Sequence, residues 1–157
     1  MKRKEKNEWF KSEFSSIHNK IKNQDKLSYE DFLRIRNYKL QNSSTETIEK
    51  IELITREAFQ LAEKWDVKNA IKKLDELEGV AIPVASAILA MKYPDKFAII
   101  DRRVIEELNK REKFKDYIKD ANIYEEYLKI LKSKAEELGL SLRECEMKLF
   151  EQNQKKK

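Results

Sequence analysis

A turn and the helix that follows it, in the middle of the chain, carry residues suited to holding an anion. Gly79 allows a positive φ without a Cβ clash, and Pro83 suits the first turn of a helix because its missing N–H would be unpaired there. Free backbone N–H groups and the helix dipole at such a start attract a phosphate. The same residues also fit an ordinary corner between two helices, so their types alone leave both interpretations open.

Asp101 is the carboxylate best placed for chemistry. It follows the apolar run 97–100 and precedes a charged helix that begins with Arg102 and Arg103. A fixed carboxylate can stabilise a developing positive charge and orient or deprotonate an attacking water. We expect the helix start and the two arginines to favour its charged form against desolvation. An N-cap aspartate requires the same position, and the two roles can coexist.

The hairpin around Gly79 matches a known sequence pattern. Leu77, Gly79, Val80 and Ala85 fit L-x-G-V-G-x-x-x-A. The segment 74–104 therefore resembles the helix-hairpin-helix DNA glycosylases, a family that includes endonuclease III and the adenine and 8-oxoguanine glycosylases. The resemblance implies base excision from DNA, a reaction in which the target nucleotide leaves the stack and enters a pocket.

Two further matches extend the resemblance, and two positions depart from it. The family's essential aspartate lies 18 residues after the position of Pro83, which leads to Asp101, and the segment 141–150 is similar to the family's late S-x-R-x-x-[DE]-x-x-L-[WF] helix. Ala81 replaces the second hairpin glycine, and Pro83 replaces the lysine that bifunctional members use as a nucleophile. These departures imply a monofunctional glycosylase or a member that has lost catalysis.

The resemblance also implies a fold, a partner and a set of site residues. The expected fold is all-α, with two helical lobes and a central cleft in one domain over residues 1–157. Its hairpin spans about 70–92, and the N- and C-terminal helices form one lobe. The expected partner is double-stranded DNA, which we expect to be contacted by Gly79, Val80, Ala81, Ile82, Pro83, Lys92, Lys96, Arg102 and Arg103.

Four further residues are candidates for contacts with bases. Gln41 and Asn42 lie where the family often places the residue that fills the gap left in the duplex, although helix capping explains Asn42 equally well. Tyr38 and Trp65 could stack on a base, although aromatic residues at helical spacing usually belong to a core.

Composition and periodicity independently predict a helical protein. The chain of 157 residues has only 2 Gly and 2 Pro, which disfavours an all-β fold rich in turns. Apolar residues at helical spacing indicate about eight helices and no strand. We expect segment 84–91, which is apolar and uncharged, to be the most buried helix, and a charged helix to span about 102–111. Asp66 can cap a short helix, Gly139 is typical of a helix end, and Ser141 with Glu144 forms a capping-box pattern.

Counting residues excludes several other classes of site. A single Cys145 and a single His18 cannot form a Cys/His zinc site, an iron–sulfur cluster or a disulfide within the chain. We therefore expect no metal and no cofactor, although the hairpin could hold a monovalent cation. The absence of a signal peptide pattern and of an apolar run of about 20 residues favours a cytoplasmic, nucleoid-associated protein without a membrane partner.

Two other functions remain compatible with the sequence. A protein with this hairpin could bind DNA without cleaving it, or the helices could be a scaffold for protein–protein contacts whose basic excess, a net charge of +5, only confers solubility. We favour a monomer, although the sequence does not determine the oligomeric state.

Overall fold

Eight α-helices and no strand are present in residues 2–39 and 46–156, the parts of the chain that the computed structural model describes. This confirms the all-α prediction. The helices are α1 (Arg3–Ile21), α2 (Tyr29–Lys39), α3 (Ile48–Glu63), α4 (Val67–Asp75), α5 (Ile82–Lys92), α6 (Arg102–Glu107), α7 (Ala121–Leu138) and α8 (Leu142–Lys155). None of these described helices is long and apolar enough to cross a membrane.

Local capping signals set the ends of several helices. The Asp66 carboxylate accepts from the backbone N–H of Asn69 at the start of α4, and Ser141 with Glu144 forms the predicted capping box of α8. Gly139 ends α7 in the left-handed region, with φ 68°. Each signal satisfies backbone groups that a helix end leaves unpaired. The predicted caps are therefore confirmed.

The charged helix α6 is shorter than the sequence predicted. It was expected over about 102–111 but ends at Glu107, and Asn109 has φ 59°. Asparagine tolerates this left-handed conformation better than most residues, so it redirects the chain out of the helix. Turns then occupy residues 111–119.

Helix α5 forms the centre of the core, as its apolar sequence predicted. Every residue from Val84 to Lys92 is buried. Helices α1, α2 and α4 pack against it, while α8 lies against α6 and α7.

Side chains from α5 and α7 hold the irregular segment 97–100 in place. The hydroxyls of Tyr124 and Tyr127 on α7 each donate to a backbone carbonyl, of Ala98 and Ile99 respectively, at 2.8 Å. The Ser86 hydroxyl on α5 accepts from the Ile100 N–H at 3.0 Å. A buried backbone without regular structure needs such partners. They fix the position of the next residue, Asp101.

Candidate active site

The two carboxylate oxygens of Asp101 have different partners. Its Oδ1 accepts from the Arg103 backbone N–H at 2.7 Å and so caps α6. Its Oδ2 lies 3.2 Å from Nζ of Lys39, at the end of α2. The side chains of Asp101 and Lys39 are 22% and 18% exposed. The predicted capping role is confirmed, and the second oxygen lies in a partly covered site beside a cation.

Asp101 and Lys39 line a cavity of about 160 Å³. An enclosed cavity of about 150 Å³ can hold one benzene molecule, so this cavity, which is open to solvent, can receive at least one aromatic ring. Its polar groups come from Lys39, Asp101 and Glu146. Its apolar walls are Phe10 of α1, Tyr38 of α2, Ile99, and Met147 and Phe150 of α8.

Tyr38 belongs to a group of aromatic side chains at this cavity. The Trp9 ring stacks on Tyr38 with centroids 6.1 Å apart, and Phe10 meets Tyr38 edge-on at 5.0 Å. Trp9 is 43% exposed. The structure thus brings Tyr38 together with Asp101. Trp65 does not line this cavity; it lies against Phe97 and beneath the Lys132 ammonium, 3.9 Å from the ring centroid.

An ion pair between half-buried Arg143 and buried Glu146 on α8 supports the cavity. The Glu146 carboxylate accepts from Arg143 Nη1 at 2.7 Å and from the Ile99 backbone N–H at 3.1 Å. Arg143 Nη2 also donates to the Tyr38 hydroxyl at 3.2 Å. Burial raises the pKa of Glu146, while the Arg143 charge opposes that shift. Arg143 and Glu146 are the charged positions of the S-x-R-x-x-[DE] pattern. Their hydrogen bonds connect Tyr38 and Ile99, two residues of the cavity wall, to α8.

The turn of the hairpin is held by an arginine that sequence reasoning did not single out. Gly79 has φ 76°, and its carbonyl accepts from Nε and Nη2 of Arg36 at 3.1 and 3.0 Å. Arg36 is 1% exposed. Within the part of the chain that the structure describes, the N–H groups of Gly79 and Ala81 have no acceptor. These two donors remain available to an anion.

Three of the five predicted hairpin contacts cannot donate a backbone hydrogen bond to phosphate. Val80 donates its N–H to Leu77, and Ile82 donates its N–H to Ile118. The side chains of Val80 and Ile82 are buried, and Pro83 has no N–H. Val80 and Ile82 therefore have no free backbone N–H for a phosphate, and their contact with DNA stays a prediction.

The predicted basic contacts divide into surface and internal residues. Lys96 and Arg102 are exposed. Arg103 is half-buried, donates from Nη1 to Asn153 Oδ1 at 3.4 Å, and lies over the Phe150 ring. Lys92 is only 7% exposed. The predicted Gln41 and Asn42 lie outside the described residues.

Comparison of the chain with protein-family models, curated proteins and solved structures found no match. Among the described residues, no group of three or more His, Cys, Asp and Glu side chains could hold a metal ion.

Lys92, a predicted DNA contact, has its ammonium group at the C-terminal end of α1, and its contact with DNA stays a prediction. Its Nζ donates to the carbonyls of Ile21 and Lys22 at 3.2 and 2.8 Å, and also to the carbonyl of Gln24. The carbonyls that end a helix lack internal partners and carry partial negative charge. Lys92 therefore has a structural role as a donor to the carbonyls at the end of α1. The neighbouring residues in the sequence did not predict this role.

We expect Lys92→Met to lower the free energy of unfolding by about 1–3 kcal/mol without weakening DNA binding, because buried carbonyls would lose their donor. Denaturant unfolding measures the change. The exposed Lys96→Met is the matched control and should change stability by about 0.5 kcal/mol or less. Unchanged stability of Lys92→Met together with weakened DNA binding would contradict the structural role.

Proposed function

We propose that this protein is a DNA N-glycosylase of the helix-hairpin-helix type, acting in base-excision repair as a monofunctional hydrolase. The observation that carries the proposal is the convergence of Asp101 with three aromatic side chains, Phe10, Tyr38 and Phe150, in one ring-sized cavity. The sequence resemblance predicts Asp101 as the reactive carboxylate, and the cavity around it supplies walls on which a base could stack.

The chemistry of base excision fits these groups. As the bond between base and deoxyribose lengthens, positive charge develops on the sugar, and the Asp101 carboxylate would stabilise it and accept a proton from the attacking water. A base extruded from the duplex would lose its stacking partners and regain stacking on the aromatic walls. The ion pair of Arg143 with Glu146 would keep those walls in place.

One turn of α2 connects the proposed phosphate-binding turn at Gly79 and Ala81 to the proposed reaction centre at Asp101. Arg36 contacts the Gly79 carbonyl, and Lys39 contacts Asp101. Residues three apart on a helix are neighbours on its surface. A phosphate bound by the N–H groups of Gly79 and Ala81 would therefore lie close to the cavity, as extrusion of the adjacent nucleotide requires.

The proposed architecture is the two-lobe fold of this family in a single domain. The hairpin of α4 and α5 would grip one side of the DNA, and the cleft would be the cavity that α1, α2 and α8 line. Exposed Lys96 and Arg102 would add phosphate contacts, so that affinity for duplex DNA falls as salt concentration rises.

A DNA-binding module without catalysis is the second candidate. It is favoured by the ion pair with Lys39 and the cap on Arg103, because together they engage both Asp101 oxygens within the protein. Ala81, in place of the family's second glycine, would also hold phosphate farther from the backbone.

A panel of duplexes separates these functions. Duplexes containing uracil, mismatched thymine, 8-oxoguanine, hypoxanthine or alkylated purines would be incubated with the protein, and alkali would then cleave any abasic site. We expect base release from at least one duplex. Salt-dependent binding without release would support the silent module, and no salt-dependent binding would support a protein-interaction scaffold.

We expect the native protein to release a base while leaving the abasic strand intact. Borohydride should not efficiently trap a covalent protein–DNA adduct. Pro83 offers no amine to form an imine, and the Lys39 ammonium is paired with Asp101. Gel electrophoresis of protein–DNA mixtures after reduction measures trapping, and Pro83→Lys tests whether an amine at that position reaches the sugar. Strong trapping by the native protein would contradict the monofunctional proposal.

A further inference from the structure

Lys39 is the one lysine that lines the cavity among the described residues, and its position beside Asp101 was not predicted from the sequence. Its Nζ lies 3.2 Å from Asp101 Oδ2, and the side chain is 18% exposed. The contact joins residues that are 62 positions apart in the chain. An ammonium group at this place would lie next to the base as well as to the sugar.

We propose that Lys39 is a catalytic residue that protonates the departing base, and that the site selects neutral bases, which without this proton would leave as anions, over positively charged alkylated purines. This inference rests on the proposed glycosylase function. It assigns the substrate class of the site, which the sequence alone left open.

In this reaction Lys39 gives up one proton and Asp101 takes up one proton, so the pair neither gains nor loses a proton overall. The bond between C1′ and the base nitrogen breaks, and its electron pair goes to the base. Lys39 gives one proton to an oxygen or nitrogen of that base, while water bonds to C1′ and gives one proton to Asp101. Transfer of that proton from Asp101 to Lys39 across their contact restores both groups. The products are the free base and an abasic sugar.

The charges around the cavity favour an anionic leaving group. Glu146 is paired with Arg143 at 2.7 Å, and Asp101 with Lys39, so each carboxylate has its own cation. Neither carboxylate is left to attract a cationic base. An alkylated purine would instead bring its positive charge close to the Lys39 ammonium.

Two of the aromatic walls also already carry cations. The Lys6 ammonium lies 5.9 Å from the Phe10 ring centroid, and the Arg103 guanidinium lies 5.7 Å from that of Phe150. Aromatic rings attract cationic ligands through their faces, but here protein cations already use that attraction. The walls therefore suit the stacking of a neutral ring better than the capture of a charged one.

Single-turnover base release from five duplexes tests the inference. The duplexes contain uracil, 5-fluorouracil, hypoxanthine, 8-oxoguanine or 7-methylguanine, and the proteins are the native chain, Lys39→Gln, Lys39→Arg and the control Lys64→Gln. Lys64 is exposed and lies at the end of α3, outside the cavity. We expect the native protein to release neutral bases and to discriminate against 7-methylguanine.

The dependence on the leaving group separates a proton donor from a structural lysine. Loss of a general acid costs about 10²–10⁴-fold in rate, so Lys39→Gln should slow uracil or hypoxanthine release by that factor. It should slow 5-fluorouracil release less, because fluorine makes the departing anion more stable. Lys39→Arg keeps the positive charge, but its guanidinium does not give up a proton, so it should also slow uracil release more than 5-fluorouracil release. Lys64→Gln should match the native protein.

Several results would overturn the inference. Equal slowing of uracil and 5-fluorouracil release by Lys39→Gln would mean that Lys39 only supports the structure, and preference of the native protein for 7-methylguanine would reverse the predicted substrate class. In both cases the proposed glycosylase would stand. Release of no base from any duplex would overturn the proposed function and this inference with it. If Lys39→Gln does not fold, the native preference and Lys39→Arg still decide the result.

Discussion

Asp101→Asn should bind duplex DNA as tightly as the native protein but release the target base at least about 10²–10³-fold more slowly. The variant loses the negative charge that would stabilise the sugar cation and accept the proton of water. It should still fold, because asparagine is as good an N-cap as aspartate and its side-chain oxygen can accept from the Arg103 N–H. Single-turnover kinetics and a binding titration measure the two properties.

Asp120→Asn is the matched control for this experiment. Asp120 caps α7 as Asp101 caps α6, through a 2.9 Å hydrogen bond from the Asn122 backbone N–H, but it does not line the cavity of Asp101. Base release by Asp120→Asn should equal that of the native protein. Full activity of a folded Asp101→Asn would overturn the catalytic assignment.

Gly79→Val should lower both the stability of the protein and its affinity for DNA. The backbone at this position has φ 76°, where a β-branched residue is strained by about 1–3 kcal/mol. The new Cβ would also collide with the Arg36 guanidinium. Arg36 cannot withdraw easily because it is buried and donates to the Gly79 carbonyl. The loss of hydrogen bonds from a buried charged group adds about 1.5–3 kcal/mol.

Gly139→Val separates the two causes. Gly139 has a similar φ of 68°, but a Cβ there would meet no atom within 4 Å. This variant should show only the backbone strain and keep its affinity for DNA, whereas Gly79→Val should lose more stability and bind DNA more weakly. Denaturant unfolding and a DNA titration at fixed salt measure both. A Gly79→Val variant that is no worse than Gly139→Val would show that the hairpin does not depend on the Arg36 contact.

Features that depend on neighbours within a few residues follow from the amino-acid sequence alone. The all-α class, the caps at Asp66 and Ser141, the glycine that ends α7 and the cap at Asp101 were all predicted correctly. These features arise from hydrogen bonds between groups only a few positions apart, so residue type and spacing are sufficient. The buried position of α5 followed from its uncharged, apolar sequence.

The set of side chains that line the cavity follows from the packing of the helices. Lys39 and Lys92 have similar local contexts near helix ends, yet one contacts Asp101 and the other closes the end of α1. Tyr38 and Trp65 were equal candidates for stacking, and only Tyr38 lines the cavity. The partners involved are tens of residues away in the chain, and helix packing, rather than spacing along the chain, brings them together. Local sequence patterns therefore predict Asp101 as a site residue but do not predict its contact with Lys39.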